Sequence, residues 1–240
     1  MVKQRLVFLL FGLFSLTILN AQDVKKHTLS ADVAAQGLLG YSNTYKWYGG
    51  TDLKGVLRYD NTDVYVNCEA LTKNVYSLGL TVSPAFEVCK NGYVFADGTL
   101  HTRLFGKYKI FELIYAGSVG FRMDFFSVQV GIFSRTMDNI DRDWHSLENH
   151  VTEPFNLLYK VRFNIMRAKH PWDIYLIGSN YTDFEYERIW EPLFTMGWRH
   201  NFKDRWKAVA EGTLKAAGMF HGTAKFYGAM LRFGVVYKLK

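Results

Sequence analysis

The sequence predicts an all-β protein, a closed antiparallel transmembrane β-barrel of about twelve strands. Three observations predict it. Aromatic residues make up 17% of the chain, apolar and polar residues alternate in segments long enough to cross a bilayer, and the connections between these segments alternate between short and long. No window after Gln22 has the roughly eighteen consecutive apolar residues that a membrane helix needs.

The first residues have the layout of a secretory signal peptide. Lys3 and Arg5 precede an apolar run from Leu6 to Leu19, and a small residue follows at the cleavage point. We therefore expect residues 1–21 to be a signal peptide and residues 22–240 to form one barrel domain. Cleavage removes two basic residues and no acidic ones, which lowers the net charge from +7 to +5. The remaining basic residues are scattered, so nucleic acid is not an expected partner.

The clearest strand is the segment from Asn156 to Met166, in which every second residue is apolar, beginning at Leu157. The closing segment from Phe226 to Leu239 repeats this period of two. A helix with apolar residues at every second position would have them on all sides, which excludes a helical interpretation. By the same criteria we predict strands at residues 27–39, 52–60, 63–71, 75–89, 93–105, 109–122, 125–136, 154–167, 171–179, 190–201, 205–217 and 224–239.

The connections between these strands predict the orientation of the barrel. Membrane barrels have short turns on the periplasmic rim and longer loops outside. Counting from a periplasmic N-terminus, the periplasmic turns at residues 61–62, 90–92, 122–125, 168–170 and 202–205 are all tight. The three longest connections, at residues 41–51, 137–153 and 180–189, all fall on the opposite rim. Both ends of the chain are therefore predicted to be periplasmic.

One face of each predicted strand is apolar, as at Phe126, Val128, Val130 and Ile132, and the other is charged. A soluble sandwich or lipocalin-like barrel would have to bury this charged face, which makes that alternative unfavourable. Inside a membrane barrel the charged face lines a polar lumen. The lumen-lining candidates are Arg103, Arg122, Lys160, Arg162, Arg199, Lys207, Glu211 and Arg232.

The predicted lumen carries more basic than acidic residues, which allows two interpretations. Basic side chains could attract anions, and arginine could bind the carboxylates of acidic sugars. Alternatively, the charges could pair across the lumen and fill it, since a barrel of this size can be packed with side chains.

The longest loop contains Asp138, Asp141, Asp143 and Trp144. Three acids within six positions suggest a divalent cation, but the glycine and terminal glutamate of a calcium loop are absent. We expect a solvated extracellular loop, with no metal and no cofactor.

A catalytic site at the rim would use a histidine beside a hydroxyl or carboxyl group. The candidates are His145, Ser146 and Glu148, with His150 nearby, and His101 in the lumen. Neighbouring residues of an extended segment point in opposite directions, so His145 and Ser146 do not form a base and nucleophile. No hydrolase or zinc motif occurs. We therefore do not expect an enzyme.

The two cysteines, Cys68 and Cys89, lie on different strands with many residues between them in the predicted pairing. A disulfide requires Cα atoms within roughly 7 Å. Both thiols are expected to be free.

With the signal peptide ending Leu19-Asn20-Ala21-Gln22, the alternating strands and the closing strand, the chain resembles the small outer-membrane β-barrel proteins of Gram-negative bacteria over its whole length. Its end, Tyr237-Lys238-Leu239-Lys240, departs from the common pattern of a terminal aromatic residue. The resemblance implies a location in the outer membrane, with lipid as a partner, but carries no function-specific motif.

Three functions remain open from the sequence. The main expectation is a structural or accessory barrel that binds another envelope protein complex. The alternative is a narrow porin for small or anionic solutes such as acidic oligosaccharides. A hydrolase at the rim is the third.

Overall fold

The computed structural model describes residues 28–43, 45–140, 150–165, 172–180, 192–217 and 225–239. Nowhere in these ranges is there a helix long and apolar enough to span a membrane. The predicted signal peptide lies outside the described residues, so its cleavage stays a prediction.

Twelve strands form one closed antiparallel barrel, as the sequence predicts. Each strand pairs with the next along the chain, and β12 pairs with β1 over eleven register positions. The strands are β1 Leu29–Ser42, β2 Lys46–Tyr59, β3 Thr62–Leu71, β4 Val75–Cys89, β5 Gly92–Phe105, β6 Ile110–Arg122, β7 Phe126–Asn139, β8 His150–Asn164, β9 Trp172–Ser179, β10 Leu193–Lys203, β11 Trp206–Ala217 and β12 Lys225–Lys238.

The barrel has two rims. We call the rim that carries both chain ends and the turn at Lys90-Asn91 the turn side. The opposite rim, where β7 and β8 are connected by residues 140–149, is the loop side. The connection of residues 180–192 between β9 and β10 is also on the loop side.

The predicted long loop at residues 41–51 is wrong, because β2 begins six residues earlier than expected. Residues from Lys46 onwards continue the ladder with β1, which leaves a connection of only three residues. The ring of Tyr48 lies over Gly40 of β1, where any side chain would overlap it. Gly49 and Gly50 supply no side chain to the alternation, so the sequence pattern in this segment is hidden.

The start of β8 is also earlier than predicted, at His150 instead of residue 154. A bulge explains the difference. Between the pairs Phe133–Asn156 and Arg135–Glu153, β8 contains one residue more than β7, and Pro154 lies within it. A bulge interrupts the period of two, so the alternating pattern on the two sides of it cannot be read as one strand. All other strand ends lie within three residues of their predictions.

The outer wall is apolar, and aromatic side chains mark its ends. Exposed leucine, valine, isoleucine and phenylalanine side chains face outwards on every strand. At the turn side Trp172 and Trp198 pack together, as do Trp206 and Tyr237. At the loop side the ring of Tyr41 packs against the rings of Trp47 and Phe226. This wall matches a membrane interior bounded by two interfacial aromatic belts.

Candidate functional site: the lumen

The eight charged residues predicted to line the lumen all point inwards. Their strand neighbours are outward residues such as Phe163, Trp206 and Leu231, which are exposed on the apolar wall. Because side chains alternate along a strand, the charged residues face the interior. Five of them form two groups. Arg103 and Arg232 belong to ion-paired networks, whereas Lys160, Arg162 and Arg199 surround a more open space.

Arg103 begins a chain of ion pairs along four consecutive strands. Its guanidinium lies 3.0 Å from Glu112 of β6. Glu112 also accepts from Arg135 of β7 at 3.4 Å, and Arg135 binds Glu153 of β8 at 2.6 Å. Arg103, Glu112 and Arg135 are buried. Removing one member would leave a buried charge unpaired, which costs about 3–5 kcal/mol in buried pairs. These charges therefore fill and stabilise the loop-side half of the lumen.

Arg232 connects strands that are not neighbours. From β12 its guanidinium reaches past β1 to Asp52 of β2 at 3.5 Å and to Glu69 of β3 at 2.7 Å. Asp52 also binds the ammonium of Lys54 at 2.9 Å. The arginine side chain therefore crosses part of the lumen, and the carboxylates of Asp52 and Glu69 neutralise its charge.

An apolar cluster narrows the lumen in its loop-side half. Its members are all buried and pack against one another. We call this cluster the constriction layer, and it consists of Leu38, Tyr48, Leu71, Val75, Phe105, Leu193 and Met230. A second, smaller cluster of Ile114, Phe133 and Leu158 lines the wall formed by β6, β7 and β8.

In the turn-side half, Tyr175 of β9 organises the basic residues. The guanidinium carbons of Arg162 and Arg199 lie 4.1 Å and 4.8 Å from the centre of its ring. Its hydroxyl donates a hydrogen bond to Glu211 of β11. The ring occupies the space above Gly197 of β10, where any side chain would overlap it. The tyrosine therefore holds two arginines in fixed positions on the lumen wall.

Lys160 extends this basic surface. Its side chain is exposed although it points into the barrel, and no carboxylate among the described residues lies within ion-pair distance of it. It interacts electrostatically with Asp97 of β5, Glu211 of β11 and Lys54 of β2. These groups come from well-separated parts of the wall, so Lys160 projects towards the middle of the lumen. We call Lys160, Arg162 and Arg199 the cation cluster.

The remaining lumen candidates lie near the turn side. Arg122 is 3.6 Å from Asp63 and packs over the rings of Tyr93 and Phe95. Lys207 of β11 faces the lumen four residues before Glu211 and is half-buried.

Four of the acids that face the lumen lie where the alternation of apolar and polar residues does not predict them. Asp52 and Glu153 were missed because they lie at or beyond the predicted ends of β2 and β8. Asp63 and Asp173 lie at the ends of their strands, where alternation gives little signal. Asp63 pairs with Arg122, and Asp173 lies 4.0 Å from Arg199. The basic excess is therefore smaller than predicted, and it is concentrated in the cation cluster.

The loop candidates are only partly described. Asp138 lies on β7, where its carboxylate faces outwards and binds His150. The expectation that Asp138 belongs to a solvated loop is therefore wrong, because β7 extends to Asn139. Asp141, Asp143 and Trp144 lie outside the described residues. Among the residues that the structure describes, no group of three histidine, cysteine or acidic side chains could hold a metal ion. Cys68 and Cys89 are both free and exposed.

No protein-family model matches the chain, and no curated protein matches it in sequence. Solved structures do match its fold. The KdgM porin in complex with disordered oligogalacturonate is 9% identical, with a TM-score of 0.53, over 87% of this chain and 99% of that one. The NanC porin is 13% identical, with a TM-score of 0.50, over 86% of this chain and 100% of that one.

The translocator domain of the autotransporter NalP from Neisseria meningitidis is 11% identical, with a TM-score of 0.53, over 95% of this chain and 94% of that domain. These identities establish the fold alone. The fold is that of Gram-negative outer-membrane β-barrels, as the sequence predicts, and no particular subfamily is indicated.

Proposed function

We propose that this protein is a narrow outer-membrane channel for small anionic solutes, with acidic oligosaccharides as the preferred class. The observation that carries the proposal is the cation cluster. Two of its members are held by Tyr175 and the third, Lys160, has no ion-pair partner among the described residues. A fixed positive surface that faces the lumen attracts anions and repels cations.

The chemistry of the cation cluster suits carboxylates. The planar guanidinium of arginine can donate two parallel hydrogen bonds to one carboxylate. Because the rings and carboxylates around Arg162 and Arg199 limit their freedom, little conformational entropy is lost when an anion binds. Lys160 adds a third positive charge to the same surface. An oligosaccharide with a carboxylate on each sugar could contact these groups in succession.

The structural neighbours support the channel over the accessory role. Two of the matching structures are named porins, and one of them contains oligogalacturonate, an acidic oligosaccharide. At 9% and 13% identity, these matches do not transfer a substrate. They show that barrels with this fold serve as channels, which agrees with the chemistry of the lumen.

The constriction layer limits the size of the solute. Its apolar side chains are buried against one another in the loop-side half of the lumen, and we expect them to reduce the open cross-section there. We therefore expect a conductance well below that of a wide porin. The accessory role remains the runner-up, because a lumen that is filled at this level would not conduct and would leave the outer wall and loops as the functional surfaces.

The proposal includes export and insertion in the outer membrane after removal of residues 1–21. The apolar outer wall then contacts lipid. We expect the loop side to face the exterior and both chain ends to face the periplasm, because the longest connections among the described strands lie on the loop side.

The test is single-channel recording of the purified barrel in a planar bilayer. We expect small, steady conductance steps, and in a salt gradient a reversal potential that shows anion preference. Addition of a trimeric oligogalacturonate should block the current. Silence in every recording would refute the channel and direct the search to a protein partner.

The double variant Lys160→Gln and Arg162→Gln removes two charges from the cation cluster. We expect the anion preference to fall at least about fivefold, since even at the dielectric of bulk water a cation about 4 Å from an anion stabilises it by about 1 kcal/mol. Lys107→Gln is the matched control, because Lys107 lies in the exposed connection between β5 and β6. Equal selectivity in the double variant and the wild type would assign these residues to packing.

A further inference from the structure

A group of three polar side chains lies on the outer wall at the loop-side rim, separate from the lumen. Nδ1 of His150 lies 2.5 Å from a carboxylate oxygen of Asp138. Nε2 of the same ring lies 2.8 Å from the hydroxyl of Thr152. About half of the His150 and Asp138 side-chain surfaces is accessible, and Thr152 is exposed. We call these three residues the rim triad.

The bulge in β8 creates this arrangement. On the turn side of the bulge, the outward residues of β8 have odd numbers, such as Phe155 and Leu157. On the loop side of the bulge, Glu153 points inwards to Arg135, so Thr152 and His150 point outwards. The extra residue therefore switches the face of the strand. Because His150 is directly opposite Asp138 in the register, the bulge places a histidine, an acid and a hydroxyl on one face.

The roles of the two imidazole nitrogens differ. The nitrogen that binds the carboxylate, Nδ1, is held as a donor, which leaves Nε2 free to accept the hydroxyl proton of Thr152. This is the arrangement in which an acid orients a histidine base and the base activates a hydroxyl nucleophile. The carboxylate on one ring nitrogen orients the ring and the hydroxyl on the other supplies the nucleophile, and His150 has both partners.

We propose that the rim triad hydrolyses acyl esters of membrane lipids in the leaflet at the loop side. Thr152 is the nucleophile, His150 is the general base and Asp138 is the positioning residue. This departs from the expectation from sequence that the chain is not an enzyme. The proposal does not depend on the channel, because the rim triad does not face the lumen.

The reaction balances without a cofactor. The Thr152 oxygen attacks the ester carbonyl while His150 accepts its proton, and the tetrahedral intermediate releases the lipid alcohol, which takes that proton back. Water then attacks the acyl-threonine by the same route. The products are one fatty acid and one lysolipid per water consumed, and the threonine hydroxyl is regenerated.

The position of the rim triad selects a lipid substrate. On β7 the outward residues are apolar up to Ile132, and on β8 they are apolar up to Phe155, which is 76% exposed. The outward residues of both strands become polar immediately on the loop side of Ile132 and Phe155. Lipid ester bonds lie at this boundary, between the hydrocarbon core and the headgroups. An acyl chain lying along the apolar wall would bring its ester to Thr152.

The test measures free fatty acid released from vesicles that contain the purified barrel. One set of vesicles contains phospholipid alone and a second contains phospholipid with lipopolysaccharide, which distinguishes the two sources of acyl ester. We expect release in at least one set. Thr152→Ala and His150→Ala should each lower the rate at least about 100-fold, since removing a nucleophile or base from such a triad costs at least that much.

Two further variants separate catalysis from structure. Thr152→Ser keeps the hydroxyl and should retain activity. Asp138→Asn should lower the rate and change its dependence on pH, because the histidine then loses the carboxylate that orients it. Thr102→Ala is the matched control, since Thr102 is also an outward threonine but lies on β5. Gel mobility before and after heating shows whether each variant is folded.

A covalent probe gives a second readout. A lipid-like phosphonofluoridate should transfer its phosphonyl group to the Thr152 oxygen, with loss of fluoride, and mass spectrometry should find the added mass at Thr152. Fatty acid release from the wild type that does not exceed release from folded Thr152→Ala would overturn the proposal. Labelling elsewhere, with Thr152 unmodified, would do the same.

Discussion

At the scale of single residues, the arrangement of the cation cluster depends on Gly197, because this residue has no side chain to occupy the space above it. The ring of Tyr175 lies over Gly197, and this position allows it to contact both Arg162 and Arg199 and to donate to Glu211. The sequence predicted that the charged residues line a lumen, because alternation sets the face of each. It could not predict that an aromatic ring groups them, because that contact joins residues of four different strands.

Replacing Gly197 with alanine tests this dependence. The new methyl group would overlap the Tyr175 ring, so the ring must move and its bond to Glu211 must break. We expect the free energy of unfolding to fall by about 1–3 kcal/mol, the usual cost of overpacking, measured by denaturant titration in lipid vesicles.

Gly178→Ala is the matched control, because a methyl group at Gly178 meets no atom within 4 Å. Its stability should equal that of the wild type or exceed it slightly. Equal stability of the two variants would show that the ring does not need the space above Gly197.

At the scale of elements, the sequence predicted the number, direction and faces of the strands but not two of their starts. Alternation of apolar and polar residues extends through most strands, since each has one face on lipid and one on the lumen. It fails at β2, where glycines replace side chains, and at β8, where the bulge changes the phase. The second failure matters for function, because the same bulge builds the rim triad.

The two free cysteines report on the lipid-facing surface of these elements. Cys68 is an outward residue of β3 opposite Leu53 and Leu78, both of which are exposed on the apolar wall. Cys89 ends β4 beside the turn at Lys90-Asn91. In lipid nanodiscs, a charged maleimide that does not enter the bilayer should modify Cys89 and leave Cys68 unmodified, as read by mass spectrometry.

The single-cysteine variants Cys68→Ser and Cys89→Ser separate the two signals, and denaturation should make both thiols reactive. Rapid modification of Cys68 in intact nanodiscs would place β3 outside the hydrocarbon region. That result would contradict the alignment of the apolar wall with the membrane.

At the scale of the whole molecule, closure and orientation have different origins. Closure follows from the pairing of β1 with β12, which leaves no unpaired strand edge in the membrane. Orientation follows from the connections. The turns at residues 60–61, 90–91 and 204–205 are short, whereas residues 140–149 and 180–192 on the other rim form longer connections. The early start of β2 removes one predicted long loop, and the early end of β8 lengthens the predicted tight turn at residues 168–170 to a connection of residues 165–171. The two longest connections still lie on the loop side.

An epitope tag at each rim tests the orientation. A tag inserted between Asp141 and Trp144, outside the described residues, should bind antibody on intact cells, because longer connections of membrane barrels face the exterior. A tag between Lys90 and Asn91 should bind only after the outer membrane is permeabilised. An insertion in such a tight turn can prevent folding, so Lys107→Cys and Lys90→Cys in a background of Cys68→Ser and Cys89→Ser provide a second comparison. On intact cells, an impermeant maleimide should label the Lys107→Cys variant and should not label the Lys90→Cys variant. The reverse labelling would show that the barrel has the opposite orientation. The rim triad would then lie in the periplasmic leaflet, where its substrate would be a phospholipid.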